Sequence, residues 1–63
     1  MLFNEKLKLI RKENKLTQEE LADKLNVSRQ AITKWESAEG MPDIVNLNQI
    51  SKLFNVSIDE LVN

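Results

Sequence analysis

Four polar residues in one short segment, Arg29, Gln30, Thr33 and Lys34, carry groups that suit the edges of nucleic-acid bases. Arg and Lys match the paired acceptors of guanine, Gln matches the acceptor and donor of adenine, and a Thr methyl can touch the methyl of thymine. At about 100° per residue, a helix starting at Ser28 puts these four on one face and Ala31, Ile32 and Trp35 roughly opposite. One face is core and the other is free to make contacts. A single such residue would be ordinary solvated surface; the four together on a capped helix point to recognition. Catalysis has little to work with. The chain has no Cys and no His, which excludes a disulfide scaffold, a thiolate or imidazole metal site and a triad with a His base. Carboxylates are plentiful, but no pair sits in an evident cleft, and so few helical residues rarely enclose a substrate pocket. No enzyme activity, cofactor, metal or small-molecule ligand is expected.

The elements that must hold this face lie in Gln18–Ser37, QEELADKLNVSRQAITKWES. Leu21, Ala22 and Leu25, then Val27, then Ala31, Ile32 and Trp35 keep helical spacing on both sides of a break at Asn26-Val27-Ser28. Thr17 and Glu20 have capping-box spacing, so a helix starts there. Asn26 tolerates the positive φ that a sharp helix exit needs, and Ser28 can cap the next helix. The pattern is helix, tight turn, helix. The small Ala22 and Ala31 suit a close crossing.

With Gln18, Ala22, Val27, Ile32 and Trp35 together at motif spacing, this stretch resembles the helix-turn-helix of the Cro and phage-repressor-like family of DNA-binding domains, often called the XRE family. The resemblance extends over essentially the whole chain, with Asn26 standing where the family most often has Gly. It implies an all-α, five-helix lambda-repressor-like fold whose second and third helices form the DNA-binding pair. It further implies that Gln18 contacts phosphate, that Ser28 approaches the DNA backbone, that Ser37 is a weaker phosphate candidate, and that Arg29, Gln30, Thr33 and Lys34 face base edges. An ion pair between Arg11 and Glu36, tying the first helix to the end of the third, is implied in the same way. So is a dimer on DNA whose contact lies around Ile58–Asn63 and Gly40–Pro42. No long apolar stripe is left over at either place, so that contact is expected to be small.

From about Leu2 to Glu13 a first helix carries Phe3, Leu7 and Ile10 on one stripe, with Leu9 off it. Ser37 to Pro42 holds the only Gly and the only Pro and reads as a loop. Asp43 then caps a fourth helix, with Ile44, Leu47, Ile50, Leu53 and Phe54 as its inward stripe and Val45 outward. Asn48 and Ser51 occupy positions that the family usually fills with apolar or small residues, which calls for a rotated helix or for local bonds to backbone. Asn55-Val56-Ser57 repeats the earlier phrase, and Ser57 with Glu60 has capping-box spacing ahead of a fifth helix. Residues 1–63 are expected to form a single domain, near the lower size limit for folding without disulfides or metal.

The net charge of −1 weighs against nucleic acid, because affinity for DNA comes largely from neutralising phosphates. The distribution answers it. Through Trp35 eight bases meet five acids, a balance of +3; from Glu36 onward one base meets five acids, a balance of −4. Such asymmetry suggests a DNA-facing side and a far side. No apolar run approaches a membrane span and no signal-peptide core is evident, so the cytoplasm is the default. The function expected is sequence-specific binding of double-stranded DNA in transcriptional regulation, as a repressor acting as a homodimer on an inverted repeat. The alternative is a protein-interaction module such as an antitoxin or anti-repressor partner, favoured by the acidic second half and by Leu9 and Val45.

Overall fold

The computed structural model describes residues 1–63 as five helices: α1 (Phe3–Glu13), α2 (Gln18–Leu25), α3 (Arg29–Glu36), α4 (Ile44–Phe54) and α5 (Ile58–Val62). Local chemistry explains each boundary. The Thr17 hydroxyl accepts the Glu20 N–H at 3.0 Å while the Glu20 carboxylate accepts the Thr17 N–H at 2.9 Å, a complete capping box at the start of α2. Ser28, Asp43 and Ser57 cap α3, α4 and α5 through the N–H groups of Ala31, Asn46 and Glu60. At Ser57 the reciprocal half of the box is missing, because the Glu60 carboxylate accepts the serine hydroxyl instead of the Ser57 N–H. Leu2 has no polar side chain to cap α1, and Glu5 reaches back to its N–H at 3.0 Å.

The two Asn-Val-Ser corners are built alike. Asn26 and Asn55 sit in the left-handed region at φ 57° and 54°, and Val27 and Val56 each donate back to a carbonyl of the preceding helix. Lys15 and Ala38 are also left-handed, at φ 58° and 63°. Neither is a residue type that favours this conformation. The only glycine, Gly40, does not need it.

The helices close on one core, with α3 packed on both α1 and α2, and α5 bridging α1 and α4. Leu7, Leu21, Ile32, Ile50 and Leu61 have no exposed surface and come one from each helix. Phe3, Ala22, Leu25 and Trp35 complete the buried apolar set. No buried side-chain polar atom lacks a hydrogen-bond partner, as a single packed core requires.

On α4 the inward stripe departs from the sequence expectation. Leu47, Ile50 and Phe54 face the core, but Ile44 is 62% and Leu53 39% exposed. Steps of three residues drift backwards by about 60° each, so Ile44 and Leu53 end up about 180° apart and cannot share a face. The place near the core falls instead to Ser51, whose hydroxyl donates to the Val56 carbonyl, while Asn48 turns to solvent. Helix rotation and local bonding therefore both operate.

Candidate nucleic-acid interface

Helix α3 presents Arg29, Gln30, Thr33 and Lys34 to solvent over about 140° of its circumference. Its other side buries Ile32, Trp35 and Glu36 and half-buries Ala31. Neither Arg29 nor Lys34 has an acidic partner, since the only ion pair in the structure joins Arg11 to Glu36. Both cations are therefore free for an external anion or a base edge. Ser28 stands exposed at the start of α3, its oxygen accepting the Ala31 N–H and its hydrogen uncommitted. Ser37, exposed at the far end, donates to the Lys34 carbonyl at 3.2 Å. The hydroxyl is thus occupied within the helix end.

Behind this face runs a polar chain that spacing does not reveal. Arg11 donates to both Glu36 carboxylate oxygens, through Nε at 2.6 Å and Nη2 at 3.0 Å, and to the Leu16 carbonyl at 2.8 Å. The forked geometry suits a buried carboxylate, and it joins α1 to the end of α3. Gln18, the first residue of α2, donates from its side-chain nitrogen to Glu36 at 3.1 Å, and its side-chain oxygen lies 3.3 Å from the Thr33 hydroxyl. Gln18 is half-buried at the seam between α2 and α3. One of its two amide hydrogens is taken by Glu36, leaving one for an external acceptor such as phosphate. The angle between the two helices is thereby pinned by polar contacts as well as by Leu21, Ala22 and Ile32.

Residues 7–61 match the helix-turn-helix family. This chain belongs to the Cro/C1-type helix-turn-helix family. Among curated relatives, the HTH-type transcriptional activator BcrR of Enterococcus faecalis is 56% identical over 98% of this chain, which spans 30% of BcrR. The cryptic phage CTXphi transcriptional repressor RstR of Vibrio cholerae is 39% identical over 97% of the chain, which spans 54% of RstR. The chain thus spans a third to a half of these relatives. Among solved structures, the P22 c2 repressor in complex with a synthetic operator superposes with a TM-score of 0.94 at 35% identity, covering 100% of this chain and 96% of that one.

Like the sequence, the surface of this helix-turn-helix protein divides into contrasting regions. A second feature lies near the end of α3, where Leu2, Phe3, Trp35, Met41 and Val62 line an open apolar groove of about 460 Å³. It lies where the loop before α4 approaches α5, and it adds apolar surface there that is not a stripe on any one helix. Three segments distant in the chain converge to make it, so no single periodicity could have marked it. Met41 and Val62 are both exposed in it. No group of His, Cys, Asp or Glu residues in the structure is placed to hold a metal ion, and no helix is long and apolar enough to cross a membrane.

Proposed function

We propose that this chain binds specific sequences of double-stranded DNA and regulates transcription, with α3 lying in the major groove. The observation that carries this reading is the set of four exposed side chains of α3, two of them unpaired cations, on a helix locked to its neighbour by capping and by the Gln18–Glu36 contact. A rigid helix with a polar face is what base-edge recognition needs, because each bidentate contact depends on placement. The operator-bound P22 c2 repressor supports the reading through its overlap with the full chain. Arg29, Gln30, Thr33 and Lys34 meet base edges; Gln18 and Ser28 hold phosphates. Ser37, with its hydroxyl spent on Lys34, is the weakest of the phosphate candidates. Occupying a promoter represses it without further machinery, so repression is the default mode of action, in the cytoplasm and with no catalytic step.

One α3 reads only a few base pairs, and a chain of net charge −1 has little general attraction for DNA, so specificity requires two copies on an inverted repeat. The groove of Leu2, Met41 and Val62 supplies apolar surface for that contact. Selection of bound duplexes from a random library tests the whole proposal. Inverted repeats with half-sites about one helical turn apart, bound by two chains and weakened steeply by salt, are the expected result. Failure to enrich any duplex would refute it and leave a protein partner, seated on exposed Met41, Ile44 and Val45, as the reading to pursue.

A further inference from the structure

We infer that Thr33 reads the methyl group of a thymine through its own methyl, because the one hydrogen of its hydroxyl is already committed inside the protein. The inference rests on the proposed DNA-binding function. A threonine hydroxyl has one hydrogen to donate. Two acceptors compete for it here: the Arg29 carbonyl one turn back, at 3.1 Å, and the Gln18 side-chain oxygen, at 3.3 Å. The second acceptor is itself held in place. Gln18 must direct its nitrogen to the Glu36 carboxylate, since the reversed amide would set oxygen against oxygen. Glu36 in turn is fixed by the two bonds from Arg11. The Gln18 oxygen is therefore presented to Thr33 by a chain of contacts that runs from the surface to the buried Arg11–Glu36 pair.

With its hydrogen used in this way, Thr33 cannot donate to guanine or to the ring nitrogen of adenine without breaking an internal bond. Substituents on Cβ are staggered, so an oxygen turned towards the helix backbone and Gln18 leaves the methyl as the other heavy group of an exposed side chain. The apolar feature that the major groove offers is the thymine methyl. Gln18 then acts as a positioning residue for this contact, in addition to any phosphate it holds.

The test uses a duplex enriched from a random library by the 63-residue chain, resynthesised with each thymidine replaced in turn by deoxyuridine, which lacks only the methyl. One position in each half-site should lose about fourfold in affinity for the wild-type chain, the effect of returning one methyl to water. Thr33→Val, which keeps the methyl and discards the hydroxyl, should retain that sensitivity. Thr33→Ser, which does the reverse, should bind thymidine and deoxyuridine duplexes alike. Trp35 emission checks that both variants are folded. A bound duplex indifferent to uracil at every position would overturn the inference, as would a Ser variant that keeps the sensitivity while the Val variant loses it. If no duplex is enriched, the DNA-binding function fails and the methyl contact with it, a result distinct from either of those.

Discussion

Replacing Glu36 by Ala should come close to unfolding this protein. The substitution deletes the acceptor of three hydrogen bonds, two from Arg11 at 2.6 and 3.0 Å and one from Gln18 at 3.1 Å. The Arg11 and Glu36 side chains are only 10% and 2% exposed, so water cannot take over. Arg11 would keep its bond to the Leu16 carbonyl but no counter-charge. Breaking a buried pair from one side costs about 3–5 kcal/mol. At about 0.05–0.15 kcal/mol per residue, a chain of this length has roughly 3–9 kcal/mol in total. Glu36→Gln keeps one acceptor but also removes the counter-charge and sets an amide nitrogen among donors, so it should fall at the lower end of the range for a broken buried pair, about 3 kcal/mol. The pair Arg11→Met with Glu36→Leu should recover most of the loss, because apolar replacement of a buried ion pair is often neutral. Urea unfolding followed by Trp35 emission, applied also to the single variants Arg11→Met and Glu36→Leu, gives each stability and the coupling between the positions. A single substitution costing under about 1 kcal/mol, the range of exposed pairs, would show that the pair is wet. A double variant no better than the singles would show that its role is not electrostatic.

Other outcomes follow from backbone, core and cap. Ala38→Gly should raise stability by about 1 kcal/mol in thermal unfolding, since Ala38 holds φ 63° where an L side chain is disfavoured; Gly40→Ala should be tolerated, with nothing within 4 Å of the added carbon. Ile50→Ala should cost about 2–5 kcal/mol and Ile44→Ala under about 0.5, and comparable losses would return Ile44 to the core. Glu20 is held below the 4.5 of an unperturbed glutamate by the Thr17 backbone N–H, then by the Thr17 side chain and the nearby Lys24 charge. Because its folded value is the lower one, its stabilising effect is present above 4.5 and is lost as pH falls through the folded value; carboxyl titration by NMR at or above 4.5 would contradict this.

Much of the fold was legible because local signals and global packing agree. Thr17 with Glu20, Asn26 with Ser28, and Asp43 each mark a boundary through a hydrogen bond that neighbouring residues alone decide. The face of α3 was equally plain, since its polar and apolar positions separate cleanly over two turns. Helix α4 was harder because its apolar residues recur every three positions, and only the packing of α5 and α2 against it decides that Leu47, Ile50 and Phe54 face inward while Ile44 and Leu53 both stay out. The Gln18 contacts were hidden for a different reason. They join residues 15 and 18 positions apart in sequence, and their existence depends on the crossing of α2 and α3. The apolar groove draws on both ends of the chain and on the loop between α3 and α4, and no local pattern describes it.

Because each helix contributes one completely enclosed side chain, the five respond to stress together. Detaching any one helix would expose its own member of the five and uncover the others it touches, so partial opening gains little over complete unfolding. Amide exchange in the middle of all five helices should accordingly share one opening energy rather than separate into steps. Within residues 1–63 a push on one helix is therefore passed to the other four through the side chains they enclose together, as a displacement of the whole body rather than a bend between its parts.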